Sequence, residues 1–136
     1  MATERFSSAS VVSSAALDAA FVLLFVLIGR ASHNEGLAGV LTTWWPFLVG
    51  LAIGWLIVRA WRRPDAIVWT GIVVWLCTVV GGLALRALVG QGVQLSFAIV
   101  TTIVLGVFLL GWRALWLLVR RLRSSRSSRP SQRSGA

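Results

Sequence analysis

Two charged side chains lie deep inside apolar runs of this sequence: Asp18 in "ALDAAFVLLFVLI" and Arg113 in "VFLLGWRALWLLV". A third, Arg86, stands near the end of "GGLALRALV". An aspartate held away from water can exchange a proton as a cation passes, and an arginine there can hold an oxyanion through its planar fork. Placed together, the two simply neutralise each other. Other reactive groups are sparse. Cys77 and His33 are each single in the chain, which leaves no internal disulfide and no metal site built from several such ligands. The four acids, Glu4, Asp18, Glu35 and Asp65, are scattered, and there is no HExxH, GxSxG or phosphate-cradling glycine loop. These absences predict a protein that is not an enzyme and needs neither cofactor nor metal.

The elements that must position these groups read as membrane spans. Hydrophobic residues make up 57% of the 136 and charged residues only 12%, against about a quarter charged in an average soluble domain. The apolar residues gather into blocks at Val11–Gly29, Trp44–Val58, Ile67–Val89 and Leu95–Val119. A helix needs about 20 residues to cross hydrocarbon. The expected fold is therefore all-α, an integral membrane bundle of four transmembrane helices at about 11–30, 43–62, 66–89 and 94–119. A domain over 11–119 follows a short segment 1–10 and precedes a tail 120–136. The first block could suit a signal peptide, but Arg30 follows it directly without a small-residue cleavage pattern, so a retained helix is expected.

The tail, "RRLRSSRSSRPSQRSGA", is Ser/Arg low complexity and is expected to be disordered. Four spans put both termini on one side with Arg59, Arg62 and Arg63, while Arg30 and Arg86 fall on the other. Arginines flanking spans stay in the cytoplasm, so both ends are predicted to be cytoplasmic in a plasma (inner) membrane protein. The formal charge of +9 then points to anionic phospholipid beside the tail and away from nucleic acid.

Depth decides which charges can meet. At 1.5 Å per residue, Asp18 lies about 7 Å inside the inner boundary and Arg113 about 9 Å. This predicts an intramembrane ion pair between spans one and four, with Arg59 as the reserve partner. Arg86 lies about 20 Å higher, and groups with Arg30, His33 and Glu35 as an outer polar cluster. Small residues on shared helix faces, Gly50 with Gly54, Thr78 with Gly82, and Thr102 with Gly106, are expected at helix–helix contacts. Pro46 fits the first turn of span two, capped by Thr42 or Thr43.

The residues "LIGRASHNEGLAGVLTTWWPFLVGLAIGWLIVRAWRRP", "LRALVGQGVQLSFAIV" and "LLGWRALW" resemble a bacterial family of small four-span membrane proteins, domain of unknown function 3054. The features that carry the resemblance are Asp18, Gly29-Arg30 with Ser32-His33, Trp45-Pro46-Phe47, Arg86 and Gly111-Trp112-Arg113, over residues 15–118. The resemblance implies an integral membrane location and no established activity. The functional expectation is a structural or partner-binding membrane module, working alone, as a homo-oligomer or with another membrane protein. The alternative is a small proton-coupled exporter using Asp18, in the manner of small multidrug transporters.

Overall fold

The computed structural model describes residues 7–127, which form four helices joined by short turns: α1 (Ser8–Ser32), α2 (Val40–Val58), α3 (Ile72–Leu88) and α4 (Leu95–Ser127). Ser7 caps α1, its hydroxyl accepting the Ser10 N–H at 3.3 Å. A 3-10 turn, Leu37–Gly39, leads into α2. Arg59 ends α2 in the left-handed region, φ 49°, and a second 3-10 turn, Ala60–Arg62, follows. A π-helical turn, Ile67–Gly71, then opens α3. The link to α4 turns on Gly90 and Gly92, at φ 75° and 74°, a conformation that a Cβ makes costly.

Four stretches, Ser8–Ser32, Leu37–Val58, Ile67–Leu88 and Leu95–Arg126, are long and apolar enough to cross a membrane. A helix is suited to that role because it satisfies its own backbone hydrogen bonds where lipid offers none. The protein is thus an all-α, multi-pass membrane protein of four spans. Each helix packs against the next and α4 closes back onto α1. One end of the bundle, here the terminal end, holds the start of α1, the α2–α3 connection and the end of α4. The other, the turn end, holds the α1–α2 and α3–α4 turns.

The closest approach is between α2 and α3, where backbones meet directly. A Cβ on Gly50 would lie 2.7 Å from the Cys77 carbonyl oxygen, and one on Gly54 would lie 2.9 Å from Val74 Cα. Gly82 accommodates the Phe47 ring, with no space for even a methyl group. On α4, Gly106 lies under the Trp75 indole, whose Nε1 donates to the Thr102 carbonyl at 3.0 Å. The Thr78 hydroxyl bonds within its own helix, to the Val74 carbonyl. Around these contacts Val22, Phe25, Phe47, Leu51, Leu105 and Leu109 form the buried core.

Two expectations need correction. Helix α2 begins at Val40, so Pro46 lies in its interior and neither threonine caps it; the cap is Gly39, without a side-chain bond. The physical reason is the 3-10 turn at Leu37–Gly39, which starts the helical winding before Thr42. Thr43 instead bonds back to the Gly39 carbonyl at 3.0 Å. Likewise α4 does not stop at Val119 but continues to Ser127, so residues 120–127 are helical where a disordered tail was expected. Arg and Leu are good helix formers, and cations at a helix C-terminus are favoured by its dipole. Arg120 also bonds Asp65 at 2.8 Å, holding this extension to the α2–α3 connection. Residues 128–136 of the tail, and 1–6 at the N-terminus, lie outside the described residues.

Candidate functional site

The site at the terminal end is built around the Asp18 carboxylate, which accepts four N–H bonds. Arg113 Nη1 and Nη2 donate to Oδ1 and Oδ2 at 2.8 and 2.7 Å, the parallel bidentate arrangement. Trp112 Nε1 donates to Oδ1 at 2.8 Å and Trp55 Nε1 to Oδ2 at 2.9 Å. Each oxygen therefore takes two donors, and the carboxylate has no lone pair left over. Both charged side chains are 0% exposed.

The guanidinium is matched on its other edges. Nη1 also donates to the Leu109 carbonyl one turn back at 2.7 Å, and Nε donates to the Pro64 carbonyl at 2.9 Å. Arg113 Cζ lies 4.5 Å from the centre of the Trp112 ring, a cation–π contact. Leaving either charge alone here would cost several kcal/mol, because apolar surroundings offer no solvation. The arrangement meets that cost with short charge-assisted bonds drawn from α1, α2, α4 and the α2–α3 connection.

Local structure explains why the connection can contribute. Residues 63–66 are not helical, so their carbonyls are free to point inward. Thr70, in the π-helical turn, donates its hydroxyl to the Arg63 carbonyl at 2.7 Å and ties the connection down over α3. Gly71 closes that turn with its N–H on the Ala66 carbonyl at 2.8 Å. A Cβ there would lie 3.2 Å from Arg113 Cδ, so the absence of a side chain gives the arginine stem its passage. Arg59, the reserve partner, is exposed at the end of α2 and takes no part.

At the turn end the outer cluster divides into two. Arg30 bonds Glu35 at 2.8 Å, the Gly36 carbonyl through Nε and Nη2 at 3.0 and 2.8 Å, and the Thr43 hydroxyl at 3.3 Å. Arg86 instead donates through Nη1 to Gln91 Oε1 at 2.8 Å and lies over the Phe97 ring, 4.8 Å from its centre. Glu35 is within electrostatic reach of Arg86 without bonding it. The His33 side chain is exposed and joins neither group.

Gln91 links this end to α2. Its Nε2 donates to the Thr42 carbonyl at 3.1 Å. That carbonyl is the one Pro46, four residues on, cannot bond, because proline has no N–H. Sequence reasoning missed Gln91, and the signal was available: a proline inside a helix frees the carbonyl of residue i−4. Trp55, Trp112, Pro64 and Gly71 were missed too. Trp112 had a signal in its place beside Arg113, but which way an indole N–H or a loop carbonyl points is not written in residue spacing.

A model of the family described as "Protein of unknown function (DUF3054)" matches residues 15–116, which hold both members of the ion pair and the whole turn-end cluster. No curated protein and no solved structure matches the chain. With three-quarters of its length inside that match, the chain belongs to this family of unknown function.

Proposed function

We propose that this protein is a structural or partner-binding module of the plasma (inner) membrane, without catalysis of its own, in which Asp18–Arg113 is a lock between the first and last spans. The observation that supports this is the saturation of the carboxylate: four donors on two oxygens, with both side chains shut away from solvent. A proton-exchange site needs a route for water or cation and an oxygen with capacity to spare. The surface recess between Ala98, Ile99, Thr102 and Ile103 lies on α4 alone, away from this pair.

The proposed orientation has both termini in the cytoplasm. Arg59, Arg62, Arg63, Arg120, Arg121, Arg123 and Arg126 share the terminal end, against Arg30 and Arg86 at the other. Arginine excess of this kind holds a flank on the cytoplasmic side, where anionic phospholipid adds about 1 kcal/mol for each cation near the surface. Exposed Trp61, Trp69 and Trp116 at the same end suit the interfacial belt.

The deciding experiment replaces Asp18 with asparagine in the full chain, measuring membrane accumulation and thermal unfolding in detergent. A lock gives loss of protein or a fall in Tm at every pH. A well-folded variant that has lost a pH-dependent cation flux, measured in proteoliposomes against the unaltered chain, would overturn the reading in favour of an exporter. Reporter fusions to the C-terminus test the orientation separately.

A further inference from the structure

The arginines of the two ends differ in how their forks are used. A guanidinium offers a carboxylate or phosphate two bidentate edges, Nη1/Nη2 and Nε/Nη2. Arg113 puts the first edge on Asp18 and its Nε on Pro64. Arg30 puts the second edge on the Gly36 carbonyl and its Nη1 on Glu35. Arg86 commits only Nη1, and to the neutral amide of Gln91. Its Nε is buried without an acceptor, and Nη2 makes no hydrogen bond, so one whole edge is unmatched.

Charge points the same way. Among the described residues, the turn end carries Arg30, Arg86 and a single acid, Glu35, which is bonded to Arg30 and 54% exposed. The second arginine therefore has no carboxylate of its own. Arg86 is two residues from the end of α3, about 3 Å along the helix, so its long side chain can carry the guanidinium toward the headgroup side of the span. Among the described residues, Trp44 Nε1 and Thr101 Oγ1 are also buried without a partner, four and six residues from the starts of α2 and α4 in this half of the bundle. Buried donors are normally satisfied, so the unmatched Arg86 Nε calls for an acceptor.

We infer that the Nε/Nη2 edge of Arg86, seated on Phe97 and fixed by Gln91, is a binding site for one phosphate oxyanion at the turn end of the bundle, with Glu35 as its internal competitor. Phosphate presents paired oxygens at the spacing the fork matches, and a lipid headgroup and a free phosphate ester share that chemistry. The site is separate from the Asp18–Arg113 pair and does not depend on the role proposed for it.

The test uses the full chain in dodecyl maltoside, which carries no phosphate, labelled with 15N-arginine. The Arg86 Nε–H resonance is assigned by its loss in Arg86→Lys and by the ring-current shift from Phe97. It is then titrated with inorganic phosphate and, in a second arm, with phosphatidylglycerol, against sodium chloride at matched ionic strength. The expected result is a saturable downfield shift of this one resonance with phosphate or lipid and not with chloride. A shift in the lipid arm alone identifies a headgroup, and one in both arms identifies the phosphate group itself. Arg86→Lys, which keeps the charge but not the fork, should weaken binding about tenfold or more. Glu35→Gln should tighten it, and that variant keeps the test decisive should the lysine variant fold poorly. An Nε–H resonance that stays in place in both arms, or moves equally with chloride, overturns the inference.

Discussion

The two ends of the bundle use the same materials, arginine, carboxylate and aromatic rings, and the Asp18–Arg113 pair at one end and Arg86 at the other arrive at opposite states. At the terminal end the carboxylate and the guanidinium are 0% exposed and every carboxylate lone pair is used. At the turn end Glu35, bonded to Arg30, is 54% exposed, and Arg86 leaves an edge unmatched. The difference teaches that a charge in a span is defined by its count of partners more than by its depth. A saturated pair is a structural bond. An arginine with an unmatched edge retains the capacity to bind something else.

Breaking the saturated end should have the largest effect. Arg113→Ala leaves the buried Asp18 charge without its counter-charge, with only two indole N–H donors, and is expected to cost about 3–5 kcal/mol, read as lost accumulation in membranes and a collapsed Tm in detergent. The double variant Asp18→Leu with Arg113→Met should recover part of that loss, since no charge is left unpaired, though two indole N–H groups and the Pro64 carbonyl lose their partners. If the double variant is as poor as the single, the site's contribution comes from its hydrogen bonds rather than from neutralisation.

A second break tests whether close packing of α2 on α3 is what holds the two ends in register. Gly82→Ala drives a methyl group into the Phe47 ring and should cost about 1–3 kcal/mol, whereas Gly111→Ala, with nothing within 4 Å, should be neutral or slightly stabilising. Equal behaviour of the two in thermal unfolding would remove that role. Trp55→Phe takes one of the four donors from Asp18 while keeping an aromatic ring, though a smaller one, and about 1.5–3 kcal/mol is expected.

The smallest effect sharpens the turn end. Gln91→Ala should cost about 0.5–1.5 kcal/mol, because the Thr42 carbonyl then has no donor. With Pro46→Ala in the background the helix supplies its own N–H to that carbonyl, and the Gln91 effect should shrink. A double-mutant cycle in detergent measures this, and strict additivity would mean that proline and glutamine are not coupled.

What was legible in the sequence follows from what spacing encodes. Four apolar blocks of span length specify four helices, and a fixed rise per residue sets Asp18 and Arg113 at one depth, where the structure has them bonded. Spacing assigns a residue to a helix face but not the direction of an indole N–H, so the bonds of Trp55 and Trp112 to Asp18 could not be found that way. It also treats a connection as a length. The Pro64 carbonyl reaches Arg113 because Thr70 and a π-helical turn bend the connection inward, which no residue count expresses. His33 was grouped with Arg30 by proximity in sequence, yet the chain turns at Asn34, φ 54°, and leaves the imidazole outside. The end of α4 was misjudged because low complexity was read as disorder, although Arg-Leu-Arg winds readily where a helix already leads into it.

The Asp18–Arg113 ion pair joins residues 95 positions apart, and this sets a schedule for biogenesis. A ribosome adding about 5–20 residues per second makes the aspartate some 5–20 s before its arginine. During that interval the newly made first helix has only Trp55 of α2 to quiet its carboxylate, and Trp112 and Arg113 then arrive together. Synthesis of the final span is therefore also the moment at which the carboxylate of the first can meet its counter-charge.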